Sequence, residues 1–295
     1  MADTKSIHIT SPITDEEFQP GRLGLYSHTQ EEISNAIIKH VGRKGKDLLP
    51  RQKDGLARFK YDGSWNLGQP NNARDMKKYF DIFNDVFFIG VLTGLVRIEI
   101  LEDRWASHRF GSRVLGFCST THPGWYYNPD PRFMLEKPYS KIIIGSQDSK
   151  KEKPATWKIR QYLQILPHEM LHAVFHLFTC YCRAGCQTKF SWAAHHFHWQ
   201  AAVKAIEDSG LAGDMFLGLN LSWDREVDMA WDTHYCGYNL PNDAVLRTLG
   251  LDIKEVLRRL DMYREESHST AEDMHRHRSM PGNKCINRSW VIDFP

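Results

Sequence analysis

Apolar residues along the chain fall into helical and alternating patterns that define most of its elements. Met76, Tyr79, Phe80, Phe83, Val86 and Phe87 recur at spacings of three and four, which predicts an amphipathic helix from about residue 72 to 87. Thr29 followed by Glu32 is a capping-box signature, and Ile33, Ile37 and Val41 continue at helical spacing, so a helix is predicted over 29–41. Three β-branched runs, 95–101, 114–118 and 141–145, predict strands. A long apolar helix is predicted over 156–178 and another over 195–208. Asp252 and Glu255 open a third, with Ile253, Val256, Leu257 and Leu260 inward. A helix, then strands, then helices in series reads as an α+β fold rather than a βαβ repeat. Residues up to about 27, with Pro12, Pro20, Gly21 and Gly24, read as an arm, and the polar stretch 264–283 reads as an unstructured tail. The expected organisation is an N-terminal extension (1–70), a central domain (71–212) and a C-terminal helical extension (213–295).

Composition adds exclusions. With 295 residues, 41% hydrophobic and 25% charged, the chain is long enough to bury a core without disulfides. Six cysteines are too sparse for a disulfide scaffold, the first residues lack a signal-peptide apolar core, and no apolar run reaches membrane-spanning length. The expectation is an intracellular protein, nuclear or cytoplasmic, with no membrane span. A net charge of +2 argues against a strongly basic nucleic-acid binder. Locally the balance differs. Residues 39–60 carry eight Lys and Arg against Asp47 and Asp54, and read as a solvated connector or as a weak contact for an anion such as DNA. Residues 224–234 set Asp224, Glu226, Asp228 and Asp232 against Arg225, and read as a solvated acidic face.

The chemistry concentrates in Leu166-Pro167-His168-Glu169-Met170-Leu171-His172-Ala173-Val174-Phe175-His176. On a helix His168 and His172 project from one face a turn apart, so two imidazole nitrogens can reach one Zn²⁺. Glu169 is then placed to act on a water at the metal rather than on the metal, as a general base. The H-E-x-x-H pattern requires a helix with apolar flanks, and Met170, Leu171, Ala173, Val174 and Phe175 supply one. Pro167 predicts that the helix restarts there, with Pro167 at its first position. A catalytic site needs a third ligand, and His176, His195, His196 and His198 are the candidates. His195 is favoured geometrically, because it shares the apolar side of the 195–208 helix with Trp199.

These parts, in this order, resemble the SprT-like zinc metallopeptidase domain of the Spartan type, over about residues 76–206. Phe80-Asp81-Ile82-Phe83-Asn84-Asp85-Val86-Phe87-Phe88 resembles the family's opening helix, and Leu115–Cys118 and Lys141–Ile144 its two strands. His168-Glu169-Met170-Leu171-His172-Ala173 matches its H-E-M-x-H-A, and Ala194-His195-His196-Phe197-His198-Trp199 resembles its third-ligand motif with both glycines replaced. The resemblance implies a zincin-like fold and Zn²⁺ held by His168, His172 and His195. It further implies that Glu169 is the catalytic base and that protein is the substrate, with DNA-associated or crosslinked protein included. An extended peptide would lie along a sheet edge.

Two other classes share these residues: a zinc-stabilised binding module without turnover, and a metal-dependent hydrolase of a small amide. Cys180, Cys182 and Cys186 form C-x-C-x₃-C after the helix and read as reduced thiols, with a structural zinc as the sharper alternative. His122, Tyr126, Tyr127 and His234 are all candidates for stabilising an oxyanion, and the sequence does not choose among them.

Overall fold

In a computed structural model the described residues are 11–62, 73–101, 116–121, 139–145, 153–180, 195–209, 221 and 223–274. They form eight α-helices and one three-stranded sheet, an α+β arrangement. Helix α1 (Gln30–Val41) starts at the expected box: Thr29 Oγ1 accepts from Glu32 N at 3.2 Å, and Glu32 Oε2 accepts from Thr29 N at 2.7 Å. Its Ile33, Ile37 and Val41 are buried.

Helix α2 (Pro50–Asp62) corrects the reading of 39–60 as a connector. Pro50 occupies the first helical position, where its missing N–H costs nothing, and Leu49 N donates to Gln52 Oε1 at 3.0 Å. The charged surface hides a packed face. A Cβ at Gly55 would stand 2.9 Å from Val86 Cγ2, so only glycine lets α2 approach helix α3 (Ala73–Phe88) this closely. Four of the eight basic side chains are engaged in ion pairs: Lys39 and Arg43 with Asp15, Arg51 with Asp85, and Arg58 with Asp54 and Asp85.

The sheet has the order β1 (Val96–Leu101), β3 (Tyr139–Gly145), β2 (Gly116–Thr121). β1 pairs parallel to β3 with Ile98 opposite Ile142, and β2 pairs antiparallel with Cys118 opposite Ile142. The central strand is the most apolar, with Ile142 and Ile144 fully buried. Helix α4 (Ala155–Phe178) packs across β2 and β3. It runs without restart through Pro167, contrary to the sequence expectation. A mid-helix proline costs about 3 kcal/mol or more. Tyr162, Ile165 and Leu166 before it and Met170, Leu171 and Val174 after it are all at most 1% exposed. Burying each such side chain is worth about 1.5–3 kcal/mol, so packing on both sides outweighs the break.

The last turn of α4 is completed from the N-terminal arm. Tyr26 N donates to Leu177 O, and Ser27 N and His28 N both donate to Phe178 O. Ile13, Phe18 and Leu23 of this arm lie in the same apolar cluster as α1, α3, α4 and Trp199.

Helices α5 (Phe197–Asp208), α6 (Arg225–Tyr235), α7 (Asp243–Thr248) and α8 (Ile253–Met274) follow. Met229, Ala230, Leu246, Leu249, Leu251, Val256, Leu260 and Tyr263 build a second apolar cluster among α6, α7 and α8. α8 corrects the expectation of a tail from 264, since it continues to Met274. Asp252 Oδ1 accepts from Lys254 N at its start, and Glu255 with Arg258 and Arg259, then Asp261 with Arg264, extend it by local ion pairs. Residues 275–283 lie outside the described residues. No described helix is long and apolar enough to cross a membrane.

Candidate metal centre

α4 carries His168, Glu169 and His172 into the interior, where they are 0%, 0% and 6% exposed. His195 meets them from the segment just before α5, at 3% exposure. Sequence periodicity expected His195 inside the helix. In the structure α5 begins two residues later, and His196 is its N-cap, accepting from Trp199 N at 3.3 Å. The ring of His196 packs on Phe175 at 5.3 Å, and His198 keeps to the side of Phe197. His176 places Nδ1 3.9 Å from Cys118 Sγ. Of the four third-ligand candidates, His195 is the one brought to the pair on α4.

The three rings converge through one nitrogen each. His172 Nε2 lies 3.0 Å from His168 Nε2 and 3.1 Å from His195 Nε2. Three nitrogens bound tetrahedrally to one zinc at about 2.0–2.1 Å stand about 3.3–3.4 Å apart, so the observed spacing is close to that of a coordination shell. A hydrogen-bond chain explains it less well, because Nε2 of a single imidazole offers one proton or one lone pair and cannot serve both neighbours. Burial, with the adjacent histidines adding to it, pushes His168 and His172 well below the ordinary histidine range, which leaves both rings neutral, the state that binds metal. Among the described residues this is the one cluster of three or more His, Cys, Asp or Glu able to hold an ion.

Trp199 forms the wall. Its ring is fully buried and lies 4.8 Å, 5.3 Å and 4.5 Å from those of His168, His172 and His195. Trp223 closes the side of His168 at 5.8 Å, with its Nε1 donating to Gln164 O at 2.9 Å.

Glu169 points toward β2. A Cβ on Gly116 would stand 2.3 Å from Ile165 Cγ2 and 2.9 Å from Glu169 Oε1, so the first residue of that strand must be glycine for the carboxylate to fit. Both Glu169 oxygens are buried without a hydrogen-bond partner among the described residues. Burial pushes its pKa up to about 8, with Asp228 adding to the rise and His195 opposing it. A buried carboxylate beside three converging nitrogens is an arrangement that could accommodate a divalent cation.

The sequence reading missed two further groups. Asp228 and Asp232 of α6 are 5% and 2% exposed, so they are not part of a solvated acidic face. Asp232 Oδ2 accepts from the backbone N–H of His195, and its Oδ1 lies 3.6 Å from His195 Nδ1. Asp228 Oδ1 lies 3.8 Å from the same nitrogen. Burial works against charge on His195, but these two carboxylates outweigh it and push its pKa up to about 9. Burial likewise raises Asp228, to about 7, and Asp232. The signal was present in the i,i+4 spacing of 228 and 232, which repeats that of His168 and His172.

Of the remaining candidates, His234 packs on Tyr235 at 4.4 Å and Tyr263 at 6.2 Å, on the α8 side of α6. His122, Tyr126, Tyr127, Cys182 and Cys186 lie outside the described residues. Cys180 is buried, with its N–H donating to His28 O at 2.8 Å. Comparison of the chain with protein-family models, with curated proteins and with solved structures finds no match.

Proposed function

We propose that the chain is a zinc-dependent endopeptidase of the SprT-like type, with His168, His172 and His195 holding Zn²⁺ and Glu169 as the catalytic base. Bound there, the ion would supply Lewis-acid activation of water and of the scissile carbonyl. Glu169 takes the proton of the attacking water and passes it to the departing amine, a role that needs a carboxylate free of structural partners. That freedom carries the reading: both its oxygens are buried beside the histidine triad with no hydrogen-bond partner among the described residues. A site that only stabilised a binding module would have no use for it. β2 is an edge strand among the described residues, and Gly116 at its start lies so near Glu169 that an added Cβ would stand 2.9 Å from Oε1, so a substrate strand added along β2 would bring its peptide bonds past the base. An edge that pairs main chain favours an unfolded protein over a small amide.

The test is incubation of the purified chain with an unfolded protein, free and crosslinked to DNA, with and without chelator, beside Glu169→Gln. The glutamine keeps the shape but cannot accept the proton, so cleavage should fall by about 10²–10⁴-fold while zinc content stays at the wild-type level. Wild-type cleavage by the variant, or no chelator-sensitive cleavage by the wild type, would overturn the reading.

A further inference from the structure

We infer that Asp228 and Asp232 are positioning residues for the metal, acting through His195, so that helix α6 is part of the metal centre. The inference rests on the reading of the triad as a cation site. It does not require that the site cleave peptides.

Consider first how His195 is held. It precedes α5, so no helical register fixes its ring. Asp232 supplies the missing constraint by accepting from its backbone N–H while standing 3.6 Å from its Nδ1. Asp228 approaches the same nitrogen at 3.8 Å. These separations are longer than a hydrogen bond, and Nδ1 is buried with no hydrogen-bond partner among the described residues, so the carboxylates stand poised over it rather than joined to it. A carboxylate facing Nδ1 favours the tautomer with the proton there. That tautomer leaves the Nε2 lone pair directed at His168 and His172, and raises its basicity as a ligand.

Next consider charge. Glu169, Asp228 and Asp232 are three carboxylates at most 5% exposed. Among the described residues, the only ion pairs made by Asp228 and Asp232 are with His195, and Glu169 makes none. Asp228 Oδ2 has no hydrogen-bond partner among the described residues. Arg225, one turn before Asp228, is directed elsewhere: its Nε pairs with Glu207 at 2.8 Å and its Nη1 donates to Leu249 O. Three buried carboxylates against the single imidazole of His195 leave negative charge in excess, which is expensive, and a divalent cation held by the rings in front of them would balance it. The pair therefore costs stability in the metal-free chain and returns it when the ion binds. A purely structural pair would do the reverse of the first.

The experiment uses the full chain and its Asp228→Asn and Asp232→Asn variants. Zinc affinity is measured by chelator competition, the visible absorption of the Co²⁺-loaded proteins is recorded, and metal-free thermal midpoints are compared. We expect zinc affinity to weaken about 10–100-fold in each variant, as for other groups that orient a ligand from behind. The Co²⁺ bands of Asp232→Asn should shift, and the metal-free midpoints should equal or exceed that of the wild type. Asp232→Glu, which keeps the charge, should recover part of the affinity. Unchanged affinity and bands would overturn the inference, as would lowered metal-free midpoints with unchanged affinity. A wild type that binds no zinc would remove its foundation. A wild type that binds zinc but cleaves nothing, with weakened binding in the variants, would uphold it and sink only the peptidase reading.

Discussion

Two histidine sites are buried in the same apolar cluster, and they differ in what their surroundings leave unanswered. His40, near the end of α1, is 2% exposed. Its Nε2 donates to Val86 O at 3.1 Å, its carbonyl accepts from Gln52 Nε2 at 3.2 Å, and Phe18 covers its ring edge-on at 5.9 Å. Val86 O and the amide of Gln52 tie His40 to α3 and α2, Arg43 and Asp15 stand near enough to act on its charge, and its Nδ1 finds no hydrogen-bond partner among the described residues. Around His195 stand two other imidazoles and three carboxylates, and both Glu169 oxygens and Asp228 Oδ2 find no hydrogen-bond partner among the described residues. Equal burial therefore says little about role. What separates the sites is convergence: two further imidazole nitrogens meet the ring of His195 at a common point, whereas among the described residues no such cluster includes His40.

The largest expected effect uses that contrast directly. His195→Ala should lose zinc at concentrations that saturate the wild type, because affinity depends on three imidazoles meeting at one point. His196→Ala and His198→Ala should keep it. His40→Gln should also keep a full equivalent of zinc and lose only stability, by about 1–3 kcal/mol for disturbing a buried hydrogen bond. Metal analysis with denaturant titration checks both. Zinc retained by His195→Ala and lost by His40→Gln would invert the comparison.

A smaller effect sharpens it through pH. Burial depresses His40 to about 4 from the ordinary 6.5, with Arg43 adding to the shift. The unfolded chain therefore takes up this proton first, and stability falls as pH drops from about 6.5 toward 4, being unaffected by His40 above that window. The full contribution is about 3 kcal/mol at 1.36 kcal/mol per unit. Acid titration of His40→Gln should show a shallower loss than the wild type between those limits. An identical slope would mean that His40 is not held neutral by its site.

How much of the two sites could be read beforehand follows from this difference. His168, Glu169 and His172 were legible because their spacing is local and carries chemistry in itself. The capping box of α1 was legible for the same reason, as two residues three apart specify it. His40 gave no signal, since its partners Val86 and Gln52 come from other helices. Asp228 and Asp232 misled, because four acidic residues in a short window usually face water, and only the fold of α6 against His195 removes two of them. α2 was hidden by its charges, and its apolar face rests on Gly55 and Leu56, too few positions to stand out. Pro167 signalled a helix start that packing on both sides overrode.

The smallest expected effect concerns the basic surface of α2 and the turn before it. Arg51 and Arg58 are held by Asp85, so any contact with DNA would fall to Lys44, Lys46, Lys53 and Lys60. Three or four phosphate contacts give weak binding whose logarithm falls with log salt at about −0.9 per contact. Charge reversal of Lys44, Lys46 and Lys53 should flatten that slope and leave zinc content unchanged. No mobility shift of the wild type at low salt would leave these lysines as a solvated surface.

Ser34 on α1 donates its hydroxyl to His198 O at the head of α5, across 164 residues of sequence. At a synthesis rate of about 5–20 residues per second, α1 leaves the ribosome on the order of ten to thirty seconds before that partner exists. During that interval the part of α1 that α5 will cover stays open to solvent or to a chaperone. His195 emerges with the same segment, so the three-histidine cluster is completed at the moment the N-terminal helix is sheltered. A nascent chain stalled before residue 195 would present both an uncovered helix and two histidines without their third.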